Sequence, residues 1–171
     1  MARIPMIEYG NASKEALEQF NDQVNRRGRI TNTQKMLLNS LPAFHAMMGW
    51  HTLRDASEEF MSGQEINLFC HAISKQNACL ICSLYFGQFI SSLGINPDNY
   101  EPTGRERALI DYGRQCAENP HGISDDIFEA LKEHFNDEQI VLITAFAGLM
   151  IATNLINTAL KVIPDEYLGM F

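Results

Sequence analysis

Cys79 and Cys82 stand three positions apart at the start of a helical segment, within a stretch from Gln64 to Phe86 that holds three of the four cysteines. Residues three apart share one face of a helical turn, so two sulfurs can join and separate there with little backbone movement. The free backbone N–H groups and the dipole of a helix start favour a thiolate, and they draw one thiol pKa down to about 7 or below. The natural product is a reversible disulfide. The same spacing also serves packing, because cysteine is among the most buried residue types. Zinc is a third reading, with Cys70 and His71 completing four ligands. Adjacent residues on one helix point about 100° apart, which works against their meeting on one tetrahedral ion. Cys116 is isolated and reads as core.

The elements that must position this pair are helices. Nearly every segment has helical period and no run alternates β-branched residues, so the class is all-α, a multi-helix bundle read as one domain over residues 1–171, with the redox segment at 64–94. Ser13 caps a first helix with Leu17, Phe20 and Val24 on one face, ending near Gly28. A short helix follows from about Thr33 to Ser40, and Pro42 starts a longer one through Phe44, Met47, Met48, Leu53 and Ala56. A helix runs from about Gln64 to Lys75. Asn77 is placed to cap the next, which reaches Leu93 and stops at Gly94, with Asn96-Pro97 supporting the break. Further helices run from about Thr103 to Glu118, from Ser124 to His134, and from Asn136 to Leu160. In the last of these Asn136 and Gln139 have capping-box spacing. The apolar tail from Pro164 to Phe171 reads as docked on a neighbouring surface.

Composition limits the partners. The sequence has 171 residues, 13 Lys+Arg against 21 Asp+Glu, and a formal charge of −8, so it lacks the cationic face that nucleic acid or an anionic membrane requires. Arg26, Arg27 and Arg29 read as a solvated helix end. The run from Ile140 to Ile156 sits at the short edge of a membrane span and carries Thr144, Thr153 and Asn154, which favours a buried or subunit-facing helix. The N-terminal residues Met1 to Pro5 lack the apolar stretch of a signal peptide, so a reducing cytoplasm is expected, where the fold needs no disulfide staple. Eight methionines and ten phenylalanines supply more apolar surface than one small helical layer covers, which favours burial between subunits.

The order of a helix, Asn77-Ala78-Cys79-Leu80-Ile81-Cys82, a second helix and Gly94 resembles the carboxymuconolactone decarboxylase family, in its alkyl hydroperoxidase D-like branch. The likeness extends over most of the chain, from Arg3-Ile4-Pro5 to the acid-rich Asp125 to Gln139 stretch before the long apolar helix. It implies an all-helical homotrimer or homohexamer that binds no cofactor, reduces a small hydroperoxide with its paired cysteines, and is re-reduced by an external dithiol such as dihydrolipoamide or by a thioredoxin-like protein. Carried over residue by residue, Cys82 attacks the peroxide and becomes a sulfenic acid, and Cys79 resolves it as a disulfide and meets the reductant. The helix start by itself favours Cys79 as the lower-pKa thiol.

Two positions depart from the family pattern. Its histidine, four residues after the second cysteine, falls on Phe86, and its glutamate, twelve residues before the first, falls on Asn67. A replacement relay is read within the preceding helix, where Gln64, Asn67 and His71 share a face and His71 has a pKa suited to taking a thiol proton. Glu65 would supply the lost carboxylate if extra residues before Asn77 bring it round, and Tyr85 would donate a hydrogen bond to Cys82. Each also has a packing or solvated reading. The expected activity is that of a thiol-dependent hydroperoxidase or disulfide oxidoreductase. The alternative is a non-catalytic or non-redox member of the family that has lost its relay.

Overall fold

The structure is a computed structural model that describes residues 1–96 and 99–169. Pro97, read as part of the break after Gly94, and Phe171, the end of the apolar tail, lie outside the described residues. Eight α-helices and three short 3-10 turns make up the described secondary structure: α1 Lys14–Arg27, α2 Asn32–Leu37, α3 Leu41–Ser57, α4 Gly63–Gln76, α5 Leu80–Ser92, α6 Gly104–Glu118, α7 Asp125–Lys132 and α8 Asp137–Ala159. The class is all-α, and no strand occurs among the described residues.

Side-chain caps set where these helices begin. Ser13, Thr31, Ser40, Ser62, Thr103, Ser124 and Asn136 each accept a backbone N–H of the first turn, satisfying donors that have no partner within the helix. The second helix begins at Asn32, one residue before Thr33, where Thr31 and Gln34 close a capping box, and ends at Leu37, short of the expected Ser40. Gly28 ends α1 at a φ of 75°, a left-handed conformation that glycine enters without steric cost.

The core is built around α4, on which Ile66, Phe69, Cys70 and Ile73 are all fully enclosed. Burial on every side follows from its neighbours, since α5, α6 and α8 all pack on it. The α6 backbone approaches most closely at Gly113, where a Cβ would lie 2.9 Å from the Phe69 ring, so only glycine lets the two helices meet at this depth. From α8, Ile143, Phe146, Ala147 and Met150 enter the same core at three- and four-residue spacing. α8 has the length and hydropathy of a membrane span, yet this inner face is packed in the protein while Val141 and Leu155 point outward. The Phe146 ring lies 5.5 Å from Trp50 of α3 and 6.2 Å from Phe69 of α4, and Trp50 lies 6.4 Å from Phe86 of α5, so one aromatic cluster ties four helices together.

The C-terminal tail docks on its own chain. Val162 and Leu168 bury against Met36 and Ile81, and Asp165 accepts the backbone N–H of Asn32 at 2.9 Å. Gln88 donates to the Tyr167 carbonyl and Arg29 lies 3.9 Å over the Tyr167 ring, which closes the tail across α2 and α5.

Candidate active site

A three-residue reversal places the cysteine pair. Asn77 ends α4 rather than capping α5, and Ala78 takes the left-handed backbone at φ 50°. The Cys79 N–H then bonds the Ser74 carbonyl at 2.9 Å, and the Ala78 N–H bonds that of Lys75 at 3.0 Å. This is a helix-ending pattern in which glycine usually holds the left-handed position, and alanine there costs about 1–2 kcal/mol. The same turn makes Cys79 itself the residue that caps the start of α5, and it puts Cys82 one turn further on the same face.

Both sulfurs are enclosed, Cys79 at 1% and Cys82 at 5% exposure, but only Cys82 lines the neighbouring cavity. This cavity of about 140 Å³ is bounded by α2, α3, α5, α8 and the tail, and its walls are mainly apolar. Tyr85 and Phe86 form the α5 wall next to Cys82, and Trp50, Met150 and Tyr167 face them.

The two thiols are electrostatically unequal. The hydrogen bond from the Cys82 thiol holds Cys79 down at about 6 despite its burial, with further help from the Cys82 backbone N–H and the Asn157 and Thr158 side chains. Cys82 moves up, because its proton is committed to Cys79, burial disfavours its charge, and the Cys79 charge repels a second anion. Asn157 opposes that rise. Its Nδ2 donates to Cys82 Sγ at 3.3 Å, while its Oδ1 accepts the Thr33 hydroxyl at 2.8 Å.

Stability therefore depends on pH through Cys79. Its native pKa lies below its unfolded value, so between about pH 6 and 9 the unfolded chain holds a proton that the native chain has lost, and stability rises with pH. Urea unfolding of the reduced protein should show a midpoint that climbs across this window, with a shallower climb for Cys79→Ser. Equal slopes would contradict the assignment of the thiolate to Cys79.

The structure sets Cys79 and Cys82 on one turn and places Tyr85 in the cavity wall with Cys82, its ring packed edge-on against Phe86 and Phe89, while Glu65 and His71 stand outside the cavity lining. Glu65 does not come round to the cysteines: it sits in the first turn of α4, at the far end from Cys79, where one oxygen accepts the Ser62 N–H at 2.7 Å and the other accepts Arg105 Nε at 2.6 Å. Both oxygens are engaged in holding the helix start. His71 is not among the cavity-lining residues. Its Nε2 lies 3.7 Å from where a Gly87 Cβ would stand, and Gly87 is about 140° round α5 from Cys82. The face proposed for the relay is also divided, because Gln64 donates to Glu106 at 2.6 Å and to Tyr100 at 2.9 Å. Burial alone would raise Glu106, but bonds from Thr103, Tyr100 and Gln64 outweigh it and lower its pKa.

Cys70 and Cys116 are both raised by burial and stay apart from the cavity lining. Among the described residues no group of three or more His, Cys, Asp or Glu side chains is arranged to hold a metal ion.

Sequence reasoning missed Asn157, Thr33 and His51. Asn157 carried a signal, being a polar residue on the buried face of an apolar helix, three positions after Asn154. Thr33 and His51 carried none, since their place in the cavity depends on how α2 and α3 pack. His51 lines the cavity, with its pKa lowered first by burial and then by Arg27, and its Nδ1 is enclosed without a hydrogen-bond partner.

The all-helical bundle has the alkyl hydroperoxidase D-like fold. The chain is similar over 99% of its length to an uncharacterized peroxidase-related protein with an alkylhydroperoxidase AhpD core from Ralstonia eutropha JMP134, covering 95% of that chain at 21% identity with a TM-score of 0.78. It is similar over 98% of its length to an uncharacterized peroxidase-related protein from Silicibacter sp. TM1040, covering 94% of that chain at 20% identity with a TM-score of 0.77. A debrominase, Bmp8, shares the fold over 95% of this chain and 92% of its own, at 14% identity and a TM-score of 0.74. No family model and no curated protein sequence matches the chain. These likenesses show the fold, which the chain shares both with peroxidase-related proteins and with a debrominase.

Proposed function

We propose that the protein is a thiol-dependent hydroperoxidase whose Cys79 and Cys82 cycle between dithiol and disulfide. The observation that carries this reading is that Cys82 is the cysteine opening on the cavity, while Cys79 stands at the start of the same turn and is the thiol held down toward its thiolate. Cys82 as thiolate attacks the terminal oxygen of R–O–OH. An S–O bond forms, the O–O bond breaks, and the leaving alkoxide takes the Cys79 proton to give R–OH and a Cys82 sulfenic acid. Cys79, now a thiolate, attacks the Cys82 sulfur. The S–S bond forms, the S–O bond breaks, and the hydroxide leaves as water with a solvent proton. Two electrons pass from the dithiol to the peroxide, and an external dithiol restores the pair by exchange.

An apolar cavity of about 150 Å³ holds benzene, so the space of about 140 Å³ beside Cys82 suits a compact, uncharged organic hydroperoxide. Cys79 is enclosed, so a dithiol of low molecular weight such as dihydrolipoamide reaches the disulfide more readily through the cavity than a thioredoxin-like protein does from outside. The exposed apolar side chains of α5 and α8, Leu80, Phe89, Leu93, Val141 and Leu155, suit burial in a homotrimer or homohexamer. A reducing cytoplasm suits a pair that must return to the dithiol.

Steady-state consumption of tert-butyl hydroperoxide with reduced lipoamide tests the reading. Turnover that depends on both cysteines is the expected result. Thiols inert to peroxide and to lipoamide would instead indicate a family member without peroxidase chemistry.

A further inference from the structure

We propose that Asn157, held in one orientation by Thr33, is the positioning residue that allows Cys82 to carry negative charge in this site. Asn157 comes from the last turns of α8 and is 4% exposed, so the groups beside it decide which way its amide faces. The Thr33 hydroxyl, brought in by α2, donates to Oδ1 at 2.8 Å and leaves Nδ2 turned to Cys82 Sγ at 3.3 Å. That separation is a normal one for a donor on a sulfur acceptor, and in an enclosed site such a donor is worth more than it is in water.

The arrangement favours charge on Cys82 without the proton relay that Phe86 and Asn67 cannot form. In the resting pair Cys79 is the readier thiolate and Cys82 the protonated thiol one turn away. When that proton crosses to Cys79, the charge moves to Cys82 without any other base, and the Asn157 N–H already points at the sulfur that receives it. Preorganised donors of this kind stabilise charge at little reorganisation cost. Asn157 acts through Cys82 and takes no proton itself. The inference rests on the dithiol reading only in naming Cys82 as the reacting sulfur.

The test follows alkylation of Cys82 by iodoacetamide against pH, in full-length protein carrying Cys79→Ser, with the modified peptide identified by mass spectrometry. Asn157→Asp exchanges a donor for a repelling charge, and the midpoint of the profile should rise by about one unit or more. Thr33→Val frees the amide to turn and should raise the midpoint by about half as much, while Thr33→Ser keeps the hydroxyl and should restore the parent profile. A midpoint unmoved by Asn157→Asp would overturn the assignment. So would Thr33→Ser shifting as far as Thr33→Val, because the effect would then follow packing. Because no peroxide is used, a protein with the expected shifts but no turnover would sink the peroxidase reading alone.

Discussion

Cys82→Ser should reduce turnover of a small organic hydroperoxide by about a thousandfold or more, the scale at which removing a nucleophile that forms a covalent intermediate is felt. Cys82 is the cysteine that lines the cavity, and a serine hydroxyl there would neither ionise near neutral pH nor attack an O–O bond. Cys79 cannot substitute, because it is Cys82 and not Cys79 that lines the cavity, even though Cys79 is the readier thiolate. Cys79→Ser should behave differently. It removes both the resolving thiol and the group that takes the Cys82 proton, so the first attack should slow and move to higher pH, after which one equivalent of peroxide should be consumed and a sulfenic acid trapped by dimedone at Cys82. Coupled assays with reduced lipoamide, together with mass spectrometry of the trapped peptide, distinguish the two variants. A Cys82→Ser protein retaining a tenth of wild-type turnover would sink the assignment of the attacking sulfur.

Phe146→Ala should cost the fold about 3–5 kcal/mol, the usual loss when a fully buried phenylalanine is truncated. Phe146 is completely enclosed, and its ring touches both the α3 and α4 members of the aromatic cluster. The indole it supports reaches Phe86 on α5 and also donates its N–H to the Met150 sulfur at 2.8 Å. The space vacated would lie behind the cavity wall, so relaxation around it would let Trp50 and Met150 move away from Cys82. At roughly 2–4 °C per kcal/mol for a chain of this size, the melting temperature should fall by about 10 °C, and the urea midpoint should fall with it. A loss below about 1 kcal/mol would mean that this cluster does not hold the four helices together.

Helix positions were legible in the sequence wherever a cap residue preceded an apolar period. Ser13, Thr103, Ser124 and Asn136 all start the helices that their side chains predict. The start of α5 was misread at Asn77, because the reversal uses the left-handed backbone of Ala78, a residue with no turn signature. The cysteine pair was legible because its chemistry is local, with both sulfurs on one turn. The remainder of the site was not, because it is assembled from α2, α3, α8 and the tail across more than a hundred residues of sequence. Thr33 and Asn157 are 124 positions apart, and the polar character of neither predicts that they meet. Glu65 shows the converse: an acidic residue near the motif looked available for chemistry, but the capping box with Ser62 and the Arg105 pair had already taken both its oxygens.

The most direct test of the dithiol account is a thiol count on the reduced protein before and after one equivalent of tert-butyl hydroperoxide, with the remaining thiols located by alkylation and peptide mapping. All four cysteines are free in the reduced chain. The account predicts that two thiols disappear together and that a peptide linking Cys79 to Cys82 is recovered, with Cys70 and Cys116 still alkylatable after denaturation. Four surviving thiols, or a loss located at Cys70 or Cys116, would contradict it.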